Sequence, residues 1–354
     1  MNKMIKKFFS GLLVTIISIV ITIILLEFLT KNFFKPLGKN NSPQSLYVND
    51  KITGYKLNSN FSGMLKIPNG RKSFIKTGNL GNRCTNDFCK NKLITIATFG
   101  DSYTFGYGVD NDETWQRYLS KTLNTGILNF GTPGYNIEQT RRLIEMTNNN
   151  FILPNKIIIG VSWNDVFEGT NVYSKKVKNG WLVNFNTPRL LVFLRNNPLI
   201  YKTSLGSVLF KTLNNIERFI LKTTPKDRNN EMELSLDSLN KLVLSNALKN
   251  KEVYLVFFNT ASHIKWMSTE SRQLKPNPLN YPDLFLALTN IIENINHSNL
   301  IIIDTTAEMV FNFKTNPYYL DNEQSHNFLF LENDQHYNKF ANQKIADLIY
   351  RKIK

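Results

Sequence analysis

The sequence predicts an α/β fold, a doubly wound parallel sheet of about five strands with helices on both faces, in three α/β/α layers. Three observations carry this. Runs too apolar to leave a wet face, such as "LITIATF" (93–99), "KIIIGVS" (156–162) and "LIIIDTT" (300–306), recur along the chain. Stretches with helical spacing of apolar residues alternate with them. The polar oddities fall at the carboxyl ends of those runs, where an open parallel sheet gathers loops and helix N-termini.

The first element is set apart. Lys3, Lys6 and Lys7 precede an uninterrupted apolar run from Phe8 to Leu26. At about 1.5 Å per residue, a helix of that length crosses a bilayer core. The run is longer than an ordinary signal-peptide core and lacks a small-x-small cleavage site. Residues 1–30 therefore read as a cytoplasmic stub and an uncleaved signal anchor, with a cleaved signal or a buried core helix as alternatives. Lys31 and Lys35 follow the run, which weakens the orientation without reversing it. The body of the protein is expected on the extracytoplasmic side of the cell membrane, partnered to it through residues 8–26.

Residues 31–90 come next. "KNFFKPLGKNNSPQS" reads as a tether, and short alternating pieces such as "SGMLKIP" read as hairpin-like lead-in packed on the domain ahead. Cys84 and Cys89, in "RCTNDFC", are spaced to close a small loop that an exported location would preserve, or else are two unpaired thiols.

The domain proper spans 91–354. "LITIATF", "TWQRYLSKTL", "GILNFG", "NIEQTRRLIEMT" and "KIIIGVS" alternate strand and helix, and "EVYLVFFNT", "LIIIDTT" and the helical "ANQKIADLIYRKI" complete the set. Between about 166 and 230 the alternation breaks. "GWLVNF" and "PRLLVFLRNNPLIYKTSLGSVLFKTL" read as an insertion that packs on the sheet edge, caps a site or lies on the membrane.

Bulk composition narrows the function classes. The chain of 354 residues has ordinary hydrophobic and charged fractions, which excludes wholesale disorder. Its formal net charge of +16 suits either an anionic surrounding, such as lipid head groups or acidic glycan, or simply a lysine-rich solvated surface. No aromatic-interleaved basic tract or zinc-type Cys/His spacing occurs, which argues against nucleic acid.

The chemistry-bearing residues sit after the strands. Ser102 follows the first, in "IATFGDSYTFGYGV"; Gly134 follows the second, in "NFGTPGYN"; Asn164 and Asp165 follow the third, in "GVSWND"; His336 stands before the last helix, in "LENDQHYN". Acyl transfer through a serine needs a nucleophile, a base, an orienting acid and oxyanion donors. Ser102 fits the nucleophile, and its backbone N–H one donor. Gly134, lacking a Cβ, fits a second donor that approaches substrate closely. The Asn164 amide fits a third. A neutral His336 fits the base, with Asp334 holding its tautomer. Asp101 fits a residue that fixes the turn.

These blocks together resemble the SGNH or GDSL hydrolase superfamily of serine esterases, lipases and acyl-modifying enzymes, in its membrane-anchored bacterial branch. "FGDSYTFGYGV" followed by "DNDETW" is similar to its first block, "NFGTPGYN" to its glycine block, "WND" to its asparagine block and "DQHYN" to its histidine block. "GNLGNR" (78–83) is similar to its lead-in. The resemblance covers about residues 77–350, without a matching motif in 166–230. It implies a flavodoxin-like fold with Ser102, His336 and Asp334 as catalytic residues, and with Ser102, Gly134 and Asn164 as the oxyanion hole. Two positions depart from the pattern. Asn333 stands where the family commonly has its acid, so Asp334 is the choice and Glu332 a weaker one, and Ala341 replaces a usual glycine.

The resemblance and the location imply an anchored esterase acting on a small acyl ester, an acetyl group on a cell-envelope or exported glycan. An O-acyltransferase, a lipase or lysophospholipase, and a non-catalytic glycan-binding component are the alternatives. No metal or organic cofactor is implied, because the serine route needs none. Asp165, Tyr103 and Trp163 are candidates for substrate contact, with support of the loop backbone as the alternative for Asp165 and a place in the core as the alternative for the two rings. His263, in "NTASHIKW" after the fourth strand, is placed to reach substrate but fits a surface or structural role better, and His297 and His326 carry no evident role.

Overall fold

The structure, a computed structural model, describes residues 2–31, 46–66, 71–84, 93–162, 164–167, 169–178, 181–184, 197, 203–206, 208–209, 212–213, 228–268, 300–315, 327–332 and 334–354. The chain divides into two units, residues 1–40 with 186–226 and residues 41–185 with 227–354. In the first, the apolar run lies in the helix α1 (Asn2–Lys31). Gly11–Lys31 has a mean hydropathy of 2.9 and is long and apolar enough to cross a membrane. The Glu27 carboxylate accepts the backbone N–H groups of Ser204 and Leu205, each at 2.8 Å.

The second unit opens with two antiparallel hairpins. β1 (Tyr47–Asp50) pairs with β2 (Gly54–Leu57), and β3 (Ser62–Lys66) with β4 (Lys72–Lys76). Alternation along β4 turns Ser73 and Ile75 inward and leaves Lys72 and Phe74 outside. Leu46, Tyr55, Leu57, Leu65 and Ile75 thereby join a core shared with the main sheet. The lead-in is part of that core, as its hairpin-like pattern suggested.

The main sheet contains β5 (Ile94–Phe99), β6 (Gly126–Asn129), β7 (Lys156–Ser162), β10 (Glu252–Phe258) and β11 (Leu300–Asp304), while β8 (Lys175–Lys178) and β9 (Trp181–Asn184) form a separate hairpin. All main-sheet pairs are parallel, in the order β6, β5, β7, β10, β11. This is the flavodoxin-like order that the family resemblance implies, in a parallel sheet of five strands as the apolar runs predict. The chain winds outward from β5 to β6, then returns past β5 to β7. The carboxyl ends of β5 and β7 therefore flank the switch point, where ligands bind in such sheets.

Helices cover both faces: α2 (Ser102–Phe105), α3 (Trp115–Leu123), α4 (Ile137–Asn150), α5 (Arg228–Val243), α6 (Ala261–Ser268), α7 (Thr306–Lys314) and α8 (Lys339–Ile353). Strand residues alternate between two cores. Ala97, Phe99, Ile157, Ile159 and Leu255 meet Leu143 and Ile144 of α4 and Leu239 and Leu242 of α5. Ile96, Ile158, Val256 and Phe258 meet Trp115 and Leu119 of α3, Ile264 of α6, Met309 of α7 and Ile345 of α8. These are the three layers.

Side-chain caps fix where the helices begin. Asn136 and Gln139 form a reciprocal capping box that starts α4, and Gln139 Nε2 also donates to the carbonyls of Thr53 and Val172. Asn338 Oδ1 accepts from Ala341 N at 3.0 Å, so α8 begins two residues ahead of the apolar pattern read from sequence. In the sequence-level insertion, Asp165–Phe167 forms a 3₁₀ turn before the β8–β9 hairpin. Most of 185–227 lies outside the described residues.

Ile159 is fully buried at the centre of the sheet. Ile159→Ala is expected to cost about 2–5 kcal/mol, read as a lower denaturant midpoint for the detergent-solubilised full chain. An unchanged midpoint would mean that this face of the sheet is not a packed core.

Candidate active site

The nucleophile turn is built by a glycine, an acid and an arginine. At Gly100 the chain takes φ +148, and a Cβ would stand 2.3 Å from Thr104 Oγ1 and 2.5 Å from the Gly160 carbonyl oxygen. Only glycine permits that turn off β5. Asp101 Oδ1 then accepts from Tyr103 N at 2.9 Å and caps α2, leaving Ser102 as its first residue. Asp101 thus fixes the turn, as its position suggested.

Arg83, from the lead-in, holds the loop that follows. Its Nε donates to Asn111 Oδ1 (2.8 Å), Nη1 to the carbonyls of Phe105 (2.9 Å) and Gly106 (2.6 Å), and Nη2 to the carbonyl of Val109 (2.6 Å). The guanidinium also lies 4.6 Å from the centroid of the Phe105 ring. Burial pushes its pKa down to about 9, against the attraction of Asp110 and Glu113, so it stays protonated at neutral pH. Sequence reading assigned Arg83 no role. The available signal was an arginine closing "GNLGNR" just ahead of the first buried strand.

His336 arrives from the far end of the chain. The Tyr337 hydroxyl donates to the Asn259 carbonyl at 2.7 Å and accepts from Asn259 N at 2.9 Å, latching the segment before α8 to the end of β10. His336 Nε2 lies 2.8 Å from Ser102 Oγ, and Nδ1 lies 2.5 Å from Asp334 Oδ1. With the Nδ1 proton directed at the carboxylate, Nε2 is the acceptor of the serine proton. Burial pushes the Asp334 carboxyl up, but its hydrogen bonds and attraction to His336 outweigh this and hold it below the usual range. Glu332 is exposed, and Asn333 lies outside the described residues.

Two tyrosine rings flank the imidazole. Tyr103 is 5.0 Å and Tyr107 is 4.7 Å from it, centroid to centroid. Tyr103, a candidate for the pocket wall or for the core, packs in the core beside His336. Its side chain is buried against Phe258 and Tyr337, and its hydroxyl donates to the Gln335 carbonyl at 2.9 Å, bracing the base from behind. Tyr107 is the ring left partly exposed beside His336, a residue the sequence reading passed over. Burial and then the nearby Asp334 push its phenol up to about 12.

Loops after β6 and β7 complete the edge. Thr132 N donates to the Gly100 carbonyl at 2.9 Å, tying the Gly134 loop to the nucleophile turn. Gly134 has φ +79, and a Cβ there would meet Lys175 Nζ at 2.6 Å and the Tyr55 hydroxyl at 3.1 Å. The left-handed backbone at this position favours glycine whatever the space beside it. Ser162 Oγ is 2.7 Å from both Asp101 Oδ2 and Asn164 Oδ1, which brings the asparagine to the serine turn. Asp165 is buried and accepts from Ser162 N at 2.8 Å, so it secures this loop.

Trp163 lies outside the described residues, as do Cys89, His297 and His326. Cys84 is buried and disulfide-bonded. His263 is buried on α6, and burial pushes its pKa down to about 4. Among the described residues, no three His, Cys, Asp or Glu side chains are grouped to hold a metal ion.

No family model and no curated protein matches the chain. Solved structures do. The chain is similar to a psychrotrophic esterase from Pseudoalteromonas sp. over 73% of its own length and 96% of the other, at 16% identity and TM-score 0.39. A G-D-S-L family lipolytic protein from Desulfitobacterium hafniense DCB-2 is similar over 73% and 98%, at 12% identity and TM-score 0.38. An acetyl xylan esterase from the rumen bacterium Butyrivibrio proteoclasticus is similar over 73% and 62%, at 12% identity and TM-score 0.35.

Arg83→Ala would take the guanidinium from the Val109 carbonyl and leave the Phe105 and Gly106 carbonyls and Asn111 Oδ1 with only their longer bonds of 3.3–3.5 Å, from Asn129 Nδ2, Val109 N and Lys76 N. Each such loss costs about 1–3 kcal/mol, so a destabilisation of about 3 kcal/mol or more is expected, with Arg83→Lys recovering only part because it lacks the planar fork. Thermal unfolding of the full-length variants checks this. Wild-type stability in Arg83→Ala would show that the loop holds without the guanidinium.

Proposed function

We propose that the protein is a serine esterase that works through an acyl-serine intermediate. The observation that carries this is the continuous path from Ser102 Oγ through His336 Nε2 and Nδ1 to Asp334 Oδ1, with contacts of 2.8 and 2.5 Å. Ser102 attacks the ester carbonyl while His336 takes its proton. Asp334 holds the Nδ1–H tautomer and stabilises the imidazolium. The oxyanion is received by the backbone N–H groups of Ser102 and Gly134 and by the Asn164 amide. His336 returns the proton to the departing alcohol, and water activated by the same imidazole then releases the acid.

The substrate is a small acyl ester, an acetyl group on a cell-envelope or exported glycan. The apolar Gly11–Lys31 helix anchors the enzyme in the cell membrane, with the catalytic domain on the extracytoplasmic side. That placement gives the domain access to envelope polymers, and the formal net charge of +16 suits an anionic surface. The disulfide at Cys84 fits an oxidising compartment.

The acyl-serine has two fates at one site. Capture by water gives hydrolysis, and capture by a sugar hydroxyl gives transfer, so O-acyl transfer is the second reading.

The full chain, purified in detergent, is to be assayed on aryl acetate and aryl octanoate beside Ser102→Ala and His336→Ala. Turnover of acetate is expected, with losses of about 10⁴-fold in each variant. Turnover that survives both substitutions would remove the proposed nucleophile and base. Preference for octanoate would move the substrate class to lipids. Acetyl transfer to a glycan acceptor without release of acetate would establish the second reading.

A further inference from the structure

The hydrogen-bond count around Ser162 does not close with an ionised Asp101. Ser162 Oγ lies 2.7 Å from Asp101 Oδ2 and 2.7 Å from Asn164 Oδ1. A serine hydroxyl has one hydrogen, and a carboxylate and an amide oxygen both only accept. Two arrangements resolve the conflict. In one, the Asn164 amide is turned over so that its nitrogen donates to Ser162. In the other, Asp101 carries a proton.

Turning the amide over is disfavoured by its other neighbour. Asn164 Nδ2 now stands 3.5 Å from Asp165 Oδ1, and Asp165 is itself fixed by accepting from Ser162 N through Oδ2. The turned amide would set an oxygen against that carboxylate. Asp101, in contrast, is fully buried. Its hydrogen-bond partners include the hydroxyl of Ser162, the hydroxyl of Ser102 at 3.3 Å and the backbone N–H groups of Tyr103 (2.9 Å) and Thr104, none of them a cation. Burial in such a setting favours the neutral acid.

We propose that Asp101 is a protonated acid that donates to Ser162, which in turn donates to Asn164 Oδ1 and holds the amide nitrogen toward the reacting ester. This rests on the esterase reading of the site. Asp101 and Ser162 are positioning residues in it and act through Asn164. A neutral Asp101 also spares Ser102 Oγ a negative charge at 3.3 Å, which would oppose the charge that develops on the ester oxygen.

The groups facing Asp101 are His336 from the last loop, Asp165 beyond Ser162 at the end of β7, and the phenols of Tyr103 on α2 and Tyr337 after the base. Burial pushes the Asp101 carboxyl up, against the hydrogen bonds of Ser162 and Tyr103 and the attraction of His336. At alkaline pH the lost proton would make Asp101 an acceptor of the Ser162 hydrogen. Asn164 would then lose its support.

Infrared spectroscopy of the full chain tests the proton directly. The carbonyl stretch of a protonated carboxyl group is expected at neutral pH in the wild type, fading as pH rises, and missing in Asp101→Asn. Absence of that band from the wild type overturns the proposal even if every variant misfolds. Kinetics test the relay. Asp101→Asn keeps an N–H facing Ser162 and is expected to retain about tenfold more kcat than Asp101→Ala. Ser162→Ala should lose kcat by about tenfold or more with little change in KM, and should add little to the loss of about 10²–10³-fold expected from Asn164→Ala. Equal damage from both Asp101 substitutions, or fully additive losses at Ser162 and Asn164, overturns the relay. If Ser102→Ala is as active as wild type, the esterase reading fails, while the infrared band still reports on Asp101.

Discussion

The short contact between Ser102 Oγ and His336 Nε2 is the constraint that the rest of the architecture serves. One residue follows the first strand of the main sheet and the other precedes the final helix, so the whole α/β domain must fold before they meet. The parallel sheet makes this workable, because every strand ends at the same edge and the switch point opens between β5 and β7. Each side of the contact is then braced. Gly100 and Asp101 aim the serine, Arg83 ties down the loop behind it, and the Tyr337–Asn259 pair fixes the segment carrying the histidine.

Two buried ionisable groups sit close to this contact and are handled in opposite ways. Arg83 keeps its charge, because three carbonyls and an amide oxygen accept its protons. Asp101 is buried completely, its partners are neutral hydroxyls and backbone N–H groups, and one of them, Ser162, has a single hydrogen to divide between it and Asn164. Satisfying a guanidinium costs its neighbours nothing but orientation. A buried carboxylate without a cationic partner is relieved most simply by a proton, and the position of that proton decides which way the neighbouring amide points.

The strands were legible because each is apolar on both faces, a pattern that few alternatives share. The main-sheet strands begin or end within one or two residues of "LITIATF", "KIIIGVS" and "LIIIDTT". Ser102 and His336 were legible through their positions at strand and helix ends. Arg83 was not, because its partners are backbone carbonyls distant in sequence, which leave no pattern to read. Tyr103 and Tyr107 lie four residues apart in one loop-and-helix stretch, and composition cannot tell which ring faces the core. For Asp165 the sequence leaves substrate contact and loop support both open, and the carboxylate is used by the loop's own Ser162 N–H. The left-handed backbone that favours glycine at 134 was likewise hidden, and Lys175 and Tyr55 beside it arrive from two other hairpins.

Mass spectrometry of the full chain, quenched during turnover of an aryl acetate and digested, tests the nucleophile most directly. An acetyl group on the peptide that carries Ser102, absent when hydroxylamine is added before digestion, is the result expected of an acyl-serine ester. Acetyl on a different peptide, or turnover with no covalent acyl-enzyme in single-turnover samples of wild type and His336→Ala alike, would contradict it.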